Sequence, residues 1–270
     1  MNDFELESKS LRLAVRRVPW DSDILGVPVG DIVRFESNDI ASSQREFDAF
    51  NKWIQENNYA MISCRLPHDK LLESSLLERN DFRFIEMVLH PTLANIQDMV
   101  IYEHELSVSS VENSEVPHIG NIAARAFGYE RFHVDPFLDP SLGDIRYRKW
   151  AENSYGDKKQ HLLKATLNGK IIGFFLVEYK DDLVYWHLTA VAPEWQGQGL
   201  GYRVWMAMIE HHKQMGFQRI LTTISARNVP VLNLYSRLNF RFLPPEMTFH
   251  WVRDMPYQDG ISKNRKMRQR

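Results

Sequence analysis

The chain has 270 residues, 44% hydrophobic and 25% charged, with a formal net charge of −2. This composition belongs to a folded globular protein and excludes a disordered chain, and the near-balanced charge supplies no overall field for nucleic acid. No apolar run of about 18 residues could span a membrane, the N-terminus MNDFELESKS lacks the features of a secretory leader, and the single Cys64 excludes an intrachain disulfide and suits a reducing cytoplasm. Cys64 ends an apolar run and reads as a buried structural thiol. The histidines show no metal-ligand spacing, since His211 and His212 are adjacent on a helix, so no metal is expected.

In chain order, alternation predicts a strand over Leu11–Val18, then a turn-rich stretch from Pro19 to Asp23 and a second strand over Val29–Phe35. Ser42–Asn57 carries Phe47, Phe50, Trp53 and Ile54 at helical spacing, with Ser43 and Glu46 as a capping box. A strand over Tyr59–Cys64, a helix over Asp69–Arg79 and a strand over Asp81–Leu89, stopped at Pro91, follow. Thr92–Pro117 has little periodicity, which sets a domain boundary near residue 100. This divides the chain into 1–100, 101–255 and a basic tail over 256–270, which reads as a solvated end or, second, as an anion-binding arm.

Beyond the boundary come a helix over Pro117–Phe127, a long loop over Gly128–Gly143 and a helix over Ile145–Asn153. Asn168-Gly169 between two apolar runs predicts a hairpin, His161–Leu167 with Lys170–Tyr179. Asp181-Asp182 turns into a buried strand over Leu183–Val191. Its helix closes at Gly216, and a strand over Arg219–Ser225, a helix over Val229–Leu238 and a last strand over Met247–Val252 complete the order. A weak repeat accompanies that order. Glu78–Phe84 followed by Glu86–His90 parallels Ser236–Phe242 followed by Glu246–His250, which suggests two related α/β halves.

Between the strand ending at Val191 and the helix through Val204, Trp205, Met208 and Ile209 lies Gln196-Gly197-Gln198-Gly199-Leu200-Gly201. Free N–H groups in the first turn of a helix, at the positive end of its dipole, make an anion site. Glycines let the backbone approach the ligand. The turn lacks the Lys of a P-loop, and its third glycine and missing downstream acid exclude a dinucleotide fingerprint. A plain strand-to-helix turn is the bland alternative.

Gln196-x-x-Gly199-x-Gly201, preceded by Val191-Ala192-Pro193, resembles the acetyl-CoA loop of the GNAT (Gcn5-related) N-acetyltransferases, Q/R-x-x-G-x-G/A. Asn228-x-x-Val231-x-x-Leu234-Tyr235-x-x-Leu238-Asn239-Phe240 resembles the family's second motif, with Val231 for a small residue and Asn239 for Gly; Asn tolerates the same turn. Further stretches, Pro19–Gly26, Ala126–Phe132 and Tyr147-x-x-Trp150-x-x-Asn153, resemble the TDP-fucosamine acetyltransferase group of nucleotide-sugar N-acetyltransferases. The resemblance implies an α/β (α+β) fold with a central mixed, mostly antiparallel sheet flanked by helices. It also implies a truncated GNAT-like N-terminal half without the glycine loop, and acetyl-CoA as co-substrate.

By that resemblance, backbone N–H groups of Gln196, Gly197, Gln198, Gly199, Leu200, Gly201, Tyr202 and Arg203 hold the CoA pyrophosphate. The Arg203 side chain either adds charge there or belongs to a solvated helix face. Val191 backbone pairs with the pantetheine arm and polarises the thioester, Asn228 adds a cofactor contact, and Tyr235 protonates the leaving thiolate. Strand alternation puts Tyr185, His187, Thr189 and Val191 on one face, which makes His187 the leading base, with Glu178 behind it, ordered water as the alternative and a core histidine as the bland reading. The acceptor side draws on Trp20, Asp21, Arg131, Phe132, His133, Tyr147 and Trp150, of which Trp150 reads more readily as interdomain packing. The acceptor implied is a nucleotide-linked amino sugar. The rivals are another small amine, an antibiotic, a protein amine, or a sensor that binds acetyl-CoA without turnover. The resemblance permits a homodimer, for which no residue argues.

Overall fold

The computed structural model describes residues 3–101 and 105–253, so the basic segment 256–270 lies outside the described residues. The first half comprises β1 (Phe4–Glu7), β2 (Leu11–Arg17), α1 (Pro19–Leu25), β3 (Val29–Ser37), α2 (Ile40–Glu56), β4 (Met61–Pro67), α3 (Leu71–Arg79) and β5 (Arg83–Leu93). The second comprises β6 (Ser107–Ser110), α4 (Val116–Ala126), α5 (Arg131–Val134), α6 (Pro140–Asn153), β7 (Gln160–Leu167), β8 (Lys170–Lys180), β9 (Leu183–Val191), α7 (Leu200–Gln214), β10 (Arg219–Thr222), β11 (Ile224–Ser225), α8 (Val229–Arg237) and β12 (Arg241–Val252). All the strands join one mixed sheet in the order β1-β2-β3-β4-β12-β5-β10-β9-β8-β7-β6, with β11 on β5. Most pairs are antiparallel, and β3 with β4 and β9 with β10 are parallel.

The halves exchange their last strands. β12 of the second half lies between β4 and β5, and β5 of the first half lies between β12 and β10. β12 brings Met247 and Phe249 into a core with Phe47, Phe50 and Phe82. β5 and the turn after it bring Leu93 and Ile96 into a core with Trp186, Trp205 and Tyr235. The exchanged strands belong to the segments that repeat in the sequence. Each is entered through a left-handed residue, Asp81 at φ 63 and Asn239 at φ 62. Leu77 precedes the first repeat as Tyr235 precedes the second, so the first half carries no hydroxyl at that place.

The first half's own parallel pair also parts. The β3–β4 ladder ends at Ile32 and Cys64. Beyond it, buried Glu73 of α3 accepts the Ser37 N–H at 3.2 Å, and the Ser37 hydroxyl lies 2.8 Å from that of Ser43. No glycine loop joins β3 to α2; Asp39 caps that helix by accepting the Ser42 N–H at 2.7 Å.

Several local expectations are corrected. Ser43 is not a cap: it is buried within α2 and its hydroxyl donates to the Ser10 carbonyl at 2.8 Å. Pro19–Leu25 is a helix rather than a turn, because Pro is favourable in a first helical turn and Gly26, at φ 71, closes it. β5 runs past Pro91, which pairs with Phe242. Pro91 has no N–H to donate on its other side, and there the ladder breaks between β10 and β11, expected as one strand. The edge strands β1 and β6 are four residues each, too short to show a pattern. The β7–β8 hairpin forms as expected, with Asn168 at φ 50 and Gly169 at φ 76 supplying both positive φ values of a type I′ turn.

Because Phe249 is 1% exposed and comes from the far end of the chain into the first-half core, Phe249→Ala should cost about 3–5 kcal/mol. Urea unfolding followed by tryptophan fluorescence and by circular dichroism should show one shifted transition. Separate transitions for the two halves would contradict a core shared through strand exchange.

Candidate active site

The glycine loop takes the form its sequence requires. Gly197 and Gly199 both sit at φ 74, and Gly199 is the N-cap of α7. Residues 196–199 are exposed, and the orphan N–H groups of the first turn of α7 face outward from them. Two glutamine side chains brace the loop from within: Gln196 Nε2 donates to the Val191 carbonyl and Gln198 Nε2 to the Glu194 carbonyl, each at 2.9 Å. Gly201 lies in α7, and a methyl there would meet Leu234 of α8 at an ordinary 3.6 Å. The Tyr202 ring lies 4.3 Å from the Arg237 guanidinium carbon. Arg203 pairs with Glu105 at 3.5 Å, both solvated, as the helix-face reading expects.

Beside the loop, β9 and β10 part. Their ladder stops at Trp186 and Thr222, where the Thr222 hydroxyl donates to the Trp186 carbonyl at 2.9 Å. From His187 to Val191 the β10 side of β9 is unpaired. On the other side Ala192 N–H bonds the Ile172 carbonyl at 2.9 Å, so by antiparallel alternation the Val191 N–H and C=O point into the opening. Tyr235 of α8 sits at the fork. It is 1% exposed, and its phenol interacts with Thr189 of β9, Thr222 of β10 and Trp205 of α7. Burial raises its pKa against these interactions, so the phenol holds its proton at neutral pH. Asn228, expected among the cofactor contacts, uses its side-chain oxygen to cap α8, accepting from Val231 N–H at 3.4 Å. It thereby fixes the helix that carries Tyr235.

The expectation that His187 shares a face with Thr189 and Val191 is wrong. A register shift between β8 and β9 passes from Leu176–Leu188 to Val177–Trp186 and leaves His187 as the extra residue of a bulge. Alternation restarts there. Val184 and Trp186 pack towards α7, whereas Leu188 and Ala190 pack towards α4 and α6. Thr189 and Val191 return to the α7 side with Tyr235. His187 projects to the opposite side, where its Nε2 lies 3.1 Å from Glu178 Oε2 of β8 and its ring 6.0 Å from Trp150. Burial lowers its pKa and Glu178 opposes that shift, itself held low by Lys180 and His187 against its own desolvation.

His187 and Glu178 line a cleft of about 630 Å3 shared with Trp20, Trp150, Arg146, Lys149 and Lys159. Trp20 is 59% exposed there. Trp150 packs against the core of the second half, stacked on Tyr147, and its ring also walls the cleft. Asp21 is not free to meet a ligand: it is buried and accepts from Arg146 Nε at 2.7 Å. Phe132 and Tyr147 are packing residues, Phe132 among Val29, Met61 and Val252, Tyr147 stacked on Phe127 and His133. Arg131 donates to Ser63 Oγ at 3.0 Å, and Ser63 donates to Asp31 at 2.5 Å, which ties the halves together.

Inside that junction lie charged groups that local pattern did not single out. Glu86 of β5 is 2% exposed, with Arg65 of β4 4.0 Å away. Glu130 precedes α5 and is half-buried. Desolvation and then Glu86 push its pKa up to about 7, against Arg65, Arg146 and Arg131. The only sign of Glu130 in the sequence is its place beside Arg131; what surrounds it is set by strand exchange.

A loop presenting backbone donors at a helix start, a strand fork and a buried phenol at its apex thus lie together where β9, α7 and α8 meet. The family model for the acetyltransferase (GNAT) family matches residues 122–240. The spore coat polysaccharide biosynthesis protein SpsD of Bacillus subtilis is 21% identical over 226 residues, 82% of this chain and 76% of that protein. A GCN5-related N-acetyltransferase from Sphaerobacter thermophilus superposes with TM-score 0.62 at 11% identity, over 90% of this chain and 76% of that one. A tandem GNAT protein from the clavulanic acid biosynthesis pathway does so with TM-score 0.59 at 12% identity, over 90% and 78%. Residues 122–240 match the GNAT acetyltransferase family, and the fold has two GNAT-like halves of which the second carries the family motifs.

Gly199→Ala should weaken acetyl-CoA binding about tenfold, because a left-handed Ala costs about 1–2 kcal/mol. Gly201→Ala should change it little, given the ordinary contact its methyl would make. Calorimetric titration of both variants checks this, and equal losses would contradict the geometry of the loop.

Proposed function

We propose that the protein transfers acetyl from acetyl-CoA to the amine of a nucleotide-activated amino sugar, by direct attack within a ternary complex. The observation that carries the acceptor class is the cleft bordering β9: two indoles, Trp20 and Trp150, with Arg146, Lys149 and Lys159 around them. Aromatic faces suit a base or sugar, and the cations suit a diphosphate. The similarity to a polysaccharide biosynthesis protein supports the same class. His187, held by Glu178, offers a neutral imidazole to acceptor hydroxyls in that cleft.

In this mechanism the loop N–H groups of residues 196–203 hold the CoA pyrophosphate, and the Val191 N–H directs the thioester carbonyl. The neutral amine attacks the carbonyl carbon, the C–N bond forms and the C–S bond breaks. Tyr235 gives its proton to the departing thiolate. A raised phenol pKa suits this step, since the group arrives protonated. The single buried thiol, Cys64, is compatible with a cytoplasmic enzyme.

Tyr235→Phe should lower kcat by about 10²–10⁴ while acetyl-CoA binding persists. Unchanged turnover would sink the acid assignment. In thermal-shift measurements acetyl-CoA should raise Tm, and a TDP- or UDP-amino sugar should raise it further. Acetylation of peptides, with no response to any nucleotide sugar, would overturn the acceptor class.

A further inference from the structure

We propose that Arg146, held in place by Asp21, anchors the acceptor's diphosphate, so that the nucleotide lies along the cleft with its base at Trp20 and its sugar at His187. This inference rests on the nucleotide-sugar reading above and adds the direction of binding and the residue that reads the diphosphate. The cleft runs between two helix faces: Trp20 and Ile24 line it from α1, and Arg146, Trp150 and Asn153 from α6, each set at helical spacing. A continuous row of contacts crosses it from β9 to α1. His187 Nε2 lies 3.1 Å from Glu178, and the His187 ring 6.0 Å from that of Trp150. The Trp150 ring is 5.3 Å from the Arg146 guanidinium carbon, and Arg146 Nε donates at 2.7 Å to Asp21, the neighbour of Trp20 in the chain. The reaction gives this row its direction. The acceptor amine has to reach the thioester at the opening between β9 and β10. His187 is the first residue of β9 beyond the last laddered pair, Trp186 with Thr222, so the sugar belongs at that end. The base then falls at the other end, where the exposed Trp20 offers an indole face, and the diphosphate falls between them, beside Arg146.

Arg146 is the cation of the cleft that the fold holds in place. Its side chain is 11% exposed and that of Asp21 only 2%. Its guanidinium carbon also lies 4.9 Å from the Phe132 ring. Asp21 takes the Nε and leaves the two terminal nitrogens, a planar fork that matches a pair of phosphate oxygens. A side chain fixed in advance spares the complex the entropy of ordering it. Lys149 and Lys159 are exposed and add charge without that geometry. Two acids on the cleft are already engaged. Asp157 accepts the N–H groups of Lys159 and Gln160, and Glu178 pairs with His187 and Lys180. Asp23, one turn along α1 from Trp20, belongs with the nucleoside, whose hydroxyls and base N–H can donate to it. Asp21 touches no ligand in this arrangement; it acts through Arg146 as a positioning residue.

The test is calorimetric titration of TDP and UDP into the full chain loaded with CoA, paired with acetyl transfer to a TDP- or UDP-amino sugar and to the free amino sugar. Wild type should bind both diphosphates, in competition with the acceptor and not with acetyl-CoA. Arg146→Lys keeps a charge beside Asp21 but loses the fork; it should weaken diphosphate binding, and raise KM for the nucleotide-linked sugar with kcat little changed, each about tenfold. The double variant Asp21→Asn with Arg146→Gln leaves neither charge buried alone and should weaken both about a hundredfold. Asp21→Asn by itself should raise KM for the nucleotide-linked sugar more than for the free one, which a general loss of structure would not do. Trp20→Ala alters an exposed side chain, so folding does not decide its result, and it should weaken both diphosphates about tenfold. Variants that bind TDP and UDP as wild type does, or that lose the free and the nucleotide-linked sugar equally, overturn the proposal. CoA-loaded wild type that binds neither diphosphate yet acetylates a sugar amine also overturns it and leaves acetyl transfer standing. Wild type that acetylates peptides and no sugar overturns the nucleotide-sugar reading and the role of Arg146 with it.

Discussion

The separation of β9 from β10 beyond Trp186 and Thr222 is the constraint on which the rest of the structure depends. A parallel pair that stays joined would leave no opening for a thioester arm. Here the ladder stops, the Thr222 hydroxyl holds the last Trp186 carbonyl, and Tyr235 fills the apex. The groups proposed to bind the donor lie along β9 and the turn after it. Val191 offers its backbone to the opening, Gln196 anchors the turn to that backbone, and Gly199 starts the helix whose first N–H groups face outward. The first half shows the counterexample. It has the parallel pair but no glycine loop, Leu77 in place of the tyrosine, and Glu73 tied to the end of β3.

Strand exchange joins the two halves. With β12 between β4 and β5, the two halves cannot separate without breaking the sheet. Arg65 of β4 and Glu86 of β5, on either side of β12, face charged groups of the second half, Glu130, Arg131 and Arg146. The cleft takes Trp20 from the first half and Trp150 from the second.

How much of this was legible in the sequence follows from the range of each signal. The β7–β8 hairpin, the glycine loop, α7 and the Asn228 cap of α8 depend on neighbouring residues and could be read directly. Tyr235 could be placed because the spacing from Asn228 fixes it on that helix. The repeat around Glu78 and Ser236 revealed two related halves, yet the exchange of β5 and β12 is long-range pairing that neither repeat encodes. His187 was assigned to the wrong face because alternation assumes an unbroken ladder, and one bulged residue inverts it. Asp21, Phe132 and Tyr147 have residue types suited to ligand binding but serve burial or ion pairing. Glu130 lay in a stretch without periodicity, and its chemistry comes from residues on four other elements.

The most direct measurement of the central claim is amine-dependent release of CoA from acetyl-CoA, with the acylated product identified by mass spectrometry. TDP- and UDP-linked amino sugars, the free amino sugars and a peptide with a free N-terminus would be compared. The account predicts one acetyl group on the sugar amine per CoA released, with the nucleotide-linked sugars far better substrates than the free ones. Equal or preferential acetylation of the peptide, or acetyl-CoA binding with no transfer to any of these amines, would contradict it.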